Sequence, residues 1–371
     1  MEVSETLAAI ALTRIPGIGS LTAHTLVKEL GSARRVFECK ANLPELLPDI
    51  APRVVNLLAH PEEAFRQAEA EYAFAERNGI RCLSYWDSGY PSRLRECIDA
   101  PVVLYYKGAA DLNVLRIVSI VGTRRITSYG KILCEEFVNE LAHFCPEILV
   151  VSGLAYGVDI HAHRAALACD LPTIGVLAHG LDRIYPSLHR QTAVQMLGKG
   201  GLLTEFPINT NPDRPNFVMR NRIVAGMADA TVVVESAAKG GSLITAEIAQ
   251  GYGRDCFSFP GRVRDEYSAG CNRLIASQAA QLITCAEDFV KCMGWEVKSA
   301  EAKSVMQREL FMELSEEEER IVNILHSGGE MQINALVVAA DLPVHRLSAL
   351  LFEMEMKGMV RALQGGVFRL I

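Results

Sequence analysis

Between Leu115 and about Cys285 the chain repeats one pattern: a continuous apolar run of strand length, a turn, then a helical stretch. The runs fall at 117–121, 148–151, 173–177, 202–205, 231–234, 255–259 and 281–284. A strand that is apolar throughout must be covered on both faces, the condition of a parallel sheet with crossover helices. The pattern therefore predicts an α/β domain with a doubly wound parallel sheet. Its ligands belong at the carboxyl ends of the strands.

The unusual residues sit at those strand ends. The first run ends in Gly122-Thr123-Arg124-Arg125, the second in Ser152-Gly153-Leu154-Ala155-Tyr156-Gly157-Val158-Asp159. The third ends in His179-Gly180-Leu181-Asp182, and the fourth leads through Pro207 towards residues 217–222. The fifth ends in Glu235-Ser236 and then Lys239-Gly240-Gly241-Ser242-Leu243-Ile244-Thr245; the sixth ends in Pro260-Gly261-Arg262. Two of these turns join glycines to the start of a helix, which makes an anion cradle of backbone N–H groups. Gly122-x-Arg124 is not the Gly-x-Gly-x-x-Gly fingerprint, and no Walker lysine motif occurs, so no nucleotide cofactor is expected.

Residues 217–222 read Phe-Val-Met-Arg-Asn-Arg, with Arg214 three positions before the ring and Pro212 and Pro215 stiffening the approach. A ring that can stack on a base, beside guanidinium groups that can fork onto phosphates, is a minimal grip for single-stranded nucleic acid. The plainer alternative is an amphipathic helix start, with Phe217 in the core and the arginines solvated. The formal charge of −7 argues against a bulk polyanion binder, so such a function must rest on a concentrated site.

The flanks read differently. Residues 4–39 form short helices around Arg14-Ile15-Pro16-Gly17-Ile18-Gly19-Ser20, a turn resembling a helix-hairpin-helix, which either touches DNA or is purely structural. A long amphipathic helix from Pro61 to Asn78 stops at Gly79. Strands at 80–85 and 101–106 read as a layer leading onto the next domain. Residues 294–310 are polar and aperiodic, a linker. In the tail, Ser315 and Glu318 form a capping box; helices at 332–340 and 344–357 and a hairpin around Gly365-Gly366 complete a winged-helix plan. The tail is acidic by roughly four charges, which favours packing or protein contact over duplex binding. The expected domains are a helical 1–79, a sheet domain 80–292, a linker 293–310 and a winged-helix-like 311–371.

Ten cysteines include no Cys-x-x-Cys pair, and most lie in apolar runs, so buried free thiols are expected. In Asp159-Ile160-His161-Ala162-His163 the imidazoles lie two residues apart and do not share a helix face, so no metal is expected. No apolar run approaches the ~18 residues of a membrane helix. Met1-Glu2-Val3-Ser4-Glu5 lacks the basic start of a signal peptide, so a cytoplasmic protein is expected.

Taken in order, several blocks resemble the DNA-processing protein A (DprA/Smf) family of bacteria: Val121-Gly122-Thr123-Arg124, 152–159 with His163, Gly180-Leu181-Asp182 with Tyr185-Pro186, and Phe217-x-x-Arg220-Asn221-Arg222. Gly241-Ser242-Leu243-Ile244-Thr245-Ala246, Pro260-Gly261 and Gly270-x-Asn272-x-Leu274-Ile275 continue the series. The resemblance covers about 80–290. It implies an extended Rossmann-like domain that binds single-stranded DNA entering during natural transformation, dimerises, and helps load the RecA recombinase, with no known enzymatic activity. By position, Gly122 and Arg124 would form a phosphate turn. Phe217 would meet a base beside Arg214, Arg220, Asn221 and Arg222. Ser152, Gly153, Gly240, Gly241 and Ser242 would hold the backbone, and Leu274 and Ile275 would lie near the dimer and recombinase surface. Val218 departs from the family's usual proline, and Gly240 replaces a frequent serine.

A second reading is a nucleotide-acting enzyme of the lysine-decarboxylase-like (nucleotide phosphoribohydrolase) type. Residues 239–247 loosely echo its Gly-Gly-x-Gly-Thr-x-x-Glu turn, with Glu247 as the acid. A third, weaker one is a duplex-binding regulator acting through the winged helix.

Overall fold

A computed structural model describes residues 4–295, 315–363 and 366–370. The chain divides into two compact units, Met1–Val297 and Lys298–Ile371.

Nine strands of the first unit form one sheet: β1 Arg81–Ser84, β2 Val103–Gly108, β3 Ile117–Val121, β4 Leu149–Ser152, β5 Thr173–Val176, β6 Gly201–Thr204, β7 Ala230–Val233, β8 Asp255–Ser258 and β9 Gln281–Leu282. Their order is β1-β2-β6-β5-β4-β3-β7-β8-β9. From β6 to β9 every pairing is parallel. The expected α/β class holds, and each expected run is a strand within about two residues, the usual uncertainty of strand ends.

Side chains alternate between two cores, as a period of two requires. Ile117, Val121, Leu149 and Val151 face one core with Ile223 and Val224. Val118, Ile120 and Val150 face the other with Phe137 and Phe289. The topology fixes the site. The chain builds outward from β3 through β4, β5 and β6, then returns to place β7 on the opposite side of β3. The switch point is therefore the crevice at the carboxyl end of β3, between β4 and β7.

β1 and β2 are not a separate layer. They extend the same sheet antiparallel, with Tyr106 opposite Leu203. Nor does residue 79 separate two cores. Ile10, Leu12 and Val27 of the N-terminal helices pack in one cluster with Val103 and Tyr105 of β2. The Glu62–Arg77 helix ends as expected, with Gly79 at φ +63°.

The second unit has the winged-helix plan. The Glu316–Gly328 helix starts on the Ser315–Glu318 capping box, followed by β10 Met331–Gln332, helices Ile333–Ala340 and Val344–Met356, and the hairpin β11 Val360–Leu363 and β12 Val367–Leu370. β10 pairs with β12, an addition to the expected hairpin. Most of the expected linker lies outside the described residues. No single helix among the described residues is long and apolar enough to cross a membrane. All ten cysteines are free. Burial pushes the Cys134 thiol up to about 12, so it is inert.

Candidate nucleic-acid interface

A cavity of about 550 Å³ opens at the switch point. The turns after β3, β4 and β7 wall it, and the Arg214–Gly226 helix closes one side. Phe217, Arg220, Asn221 and Val224 all line it. Their spacing of i, i+3, i+4 and i+7 is one helix face.

Phe217 is half-buried and is the hub. Tyr185 meets it edge to face, with centroids 6.1 Å apart. The Arg124 guanidinium lies 4.8 Å above the ring centroid and that of Arg220 5.9 Å away. Arg124, Arg214 and Lys239 are exposed at the rim.

Arg220 is different: it is 3% exposed. Its Nη1 donates to the Val176 carbonyl at 2.8 Å, while its Nε–H has no partner among the described residues. A β-carbon at Gly153 would fall 1.7 Å from Nη1, so Gly153 leaves the space that the guanidinium fills. Burial lowers the Arg220 pKa to about 10 against the attraction of Asp159, and Arg124 lowers it further. It remains a cation at neutral pH. Burial likewise raises Asp159, which Arg220 opposes. Each charge is held by the other at a cost in desolvation.

The Gly241–Gly251 helix starts at Gly240 with no side-chain cap, beside Lys239. Its first N–H groups and its dipole favour an anion here. Ser242 spends its hydroxyl on Ser236 Oγ at 2.9 Å.

Three expected residues play other parts. Ser152 is fully buried and donates to the Ile120 carbonyl at 2.6 Å, which takes it out of the cavity. Arg222 points away, donating to the Asp99 carbonyl at 2.6 Å and pairing with Glu205. Gly122 lines the cavity, but its lack of a side chain is needed for packing: a β-carbon would sit 2.3 Å from Val158 Cγ2. The helix start that follows the Gly153 turn, at Gly157–Val158, is closed by its own chain, because Val158 N–H donates to the Thr123 carbonyl at 3.1 Å. Leu274 belongs to the core at 8% exposure, and Ile275 is half-buried.

His163 bonds Thr173 Oγ1 at 2.7 Å, and burial with nearby Arg220 presses its pKa to about 3. His161 turns instead to Glu135, 3.6 Å away. Glu247 is exposed and does not line the cavity. Sequence reasoning gave no separate role to Tyr185 or Lys239. Both follow strand ends that the switch-point rule singles out.

A family model described as DNA recombination-mediator protein A matches residues 81–294, and one for the DprA winged helix domain matches 311–366. A putative DNA processing protein DprA of Mycobacterium tuberculosis is 35% identical over 282 residues, covering 75% of this chain and 71% of that protein. The X-ray structure of DNA processing protein A from Streptococcus pneumoniae aligns with a TM-score of 0.61 at 29% identity, covering 78% of this chain and 98% of the other. A structure of DNA processing protein A from Helicobacter pylori, described for its unique single-stranded DNA binding mode, aligns with a TM-score of 0.52 at 30% identity over 58% of this chain and 95% of that one.

Proposed function

The chain belongs to the DNA recombination-mediator protein A (DprA/Smf) family, and from that premise we propose that it binds single-stranded DNA at the switch-point cavity, shields the strand during natural transformation, and delivers it to the RecA recombinase. The observation that carries this reading is the convergence of two accessible rings, Phe217 and Tyr185, three exposed cations and an uncapped helix start in one open crevice.

In the free protein Arg124 rests on the face of Phe217. Such a contact contributes about 0.5–1 kcal/mol at an exposed site. A strand entering the crevice offers Arg124 a phosphate, a charge-assisted bond about twice as strong as a neutral one. The guanidinium swings onto it and leaves the ring face to a base. Lys239, Arg214 and the Gly241 helix start take the neighbouring phosphates. Every such contact is blind to sequence, as a protein handling arbitrary incoming DNA requires.

The protein acts by binding, without a chemical step of its own. Asp159 is the one carboxylate among the lining residues, under the charge of Arg220 and accepting the Ala155 N–H at 3.3 Å, and no histidine or cysteine joins it. A glycosidic hydrolase would need a convergent acid and base there. The protein works in the cytoplasm as a homodimer, because one short groove gains affinity when two protomers hold one strand. Ile275 lies at the dimer or recombinase face.

The test is recombinase loading on a single strand precoated with single-strand-binding protein. The wild type should shorten the lag before recombinase ATPase activity, and Arg124→Ala should restore it. An unchanged lag with the wild type would sink the mediator role.

A further inference from the structure

A second cavity, of about 890 Å³, lies beside the first. The same two segments contribute residues to both. The segment after β3 gives Gly122, Thr123 and Arg124 to the first and Thr127, Ser128 and Tyr129 to the second. The segment after β7 gives Glu235 to the second and Ala237, Lys239, Gly240, Gly241 and Ser242 to the first. In strand order the crevice therefore runs on from β4, β3 and β7 to the end of β8.

The loop beyond β8 supplies Arg262 and Arg264, both exposed and neither guanidinium in a hydrogen bond or ion pair among the described residues. Tyr129, 55% exposed on the first turn of the Ser128–Phe144 helix, and half-buried Tyr267 supply ring faces. The loop is pinned, since the Tyr267 carbonyl accepts from Ser236 N–H at 2.7 Å. Glu235 is not an open charge: it is 4% exposed, and Thr127 donates to it through N–H at 2.9 Å and Oγ1 at 2.5 Å. Asp265 and Glu266 on the same loop balance the arginines, so net charge does not attract the ligand. Recognition there would rest on short-range forks to phosphate and on stacking.

The geometry points to a continuation site for the same single strand, which crosses the β3 and β7 turns and places its next phosphates at Arg262 and Arg264 and its bases against Tyr129 and Tyr267. This rests on the single-strand reading of the first cavity. Both cavities belong to one protomer, so the footprint is longer than the first cavity alone.

The test compares oligo-dT of about six nucleotides, within reach of one cavity, with one of about twenty, by fluorescence anisotropy. The variants are Arg262→Ala/Arg264→Ala and, because it changes no charge, Tyr129→Ala. For the long oligomer each should bind at least about fivefold more weakly, the lower end of one lost stacking contact. The double variant should also flatten the log K against log salt slope by about 1.4, the single-strand value for two phosphates. Affinity for the short oligomer should be unchanged, which reads the first cavity alone. If the wild type holds neither oligomer, the first-cavity reading falls and this one with it. If it holds both and the variants match it on the long one, only the continuation site is overturned.

Discussion

Phe217 and Gly153 carry the site at the scale of single residues. Truncating Phe217 to Ala should weaken single-strand binding by about 1–3 kcal/mol, the value of one stacked base. Gly153→Ala should act at a distance from the ligand. Its methyl group would occupy the position of the Arg220 guanidinium, 1.7 Å from Nη1, so the variant should lose both thermal stability and affinity. An unchanged melting temperature with full affinity would contradict the packing role given to Gly153. Arg222→Ala is the contrast. It leaves Glu205 buried and unpaired, so stability should fall, by up to about 3–5 kcal/mol for a fully buried pair. The salt slope of binding should stay as in the wild type, because Arg222 reaches no phosphate; a shallower slope would return it to the interface. Arg220 and Arg222 looked equivalent in sequence. Helical periodicity separates them once Phe217 is fixed, since i+3 shares its face and i+5 does not. What no local pattern could show was that Gly153, far along the chain, is shaped around Arg220.

Among the elements, the Arg214–Gly226 helix is placed by what precedes it. Glu71 of the Glu62–Arg77 helix accepts the Ile208 N–H through both carboxylate oxygens, at 3.1 and 2.9 Å. Ile208 opens the loop that leads to Pro212 and Arg214, so the N-terminal helices brace the delivery of Phe217. Burial raises the Glu71 pKa from 4.5 to about 7, against the Ile208 bond and Arg14. The folded state thus holds a proton that the unfolded chain releases at lower pH. The stability this gives is complete below the unfolded value and is lost as pH rises through about 7. From about pH 5 to about pH 8 the wild type should lose melting temperature relative to Glu71→Gln, which cannot ionise. Parallel curves would remove Glu71 as the titrating group. The central strands were legible because their burial on both faces makes them continuously apolar. That β1 and β2 extend the sheet itself is not legible in sequence, because pairing Tyr106 with Leu203 is a long-range choice that neither segment states. β10, two residues long, offers no period to detect.

For the whole molecule, the first unit should suffice for the grip. In the second unit, the cations of the Val344–Met356 helix and its end are already engaged: Arg346 pairs with Glu317 at 2.7 Å and Lys357 with Glu318 at 2.6 Å. A helix so paired is a poor phosphate ligand, which agrees with the acidic tail read from composition. A chain ended at residue 297 should keep the single-strand affinity of the full protein, and a loss above about tenfold would assign the tail a part in binding. The proposed grip of the switch-point cavity on single-stranded DNA runs through Arg124 and Phe217. The most direct measurement is fluorescence anisotropy of a labelled oligo-dT strand with wild type, Arg124→Ala and Phe217→Ala at two salt concentrations, with duplex DNA and free nucleotides as competitors. Binding should be salt-sensitive, weakened by both substitutions and poorly competed by duplex. Undiminished affinity in both variants, or displacement of the strand by free nucleotide, would contradict it.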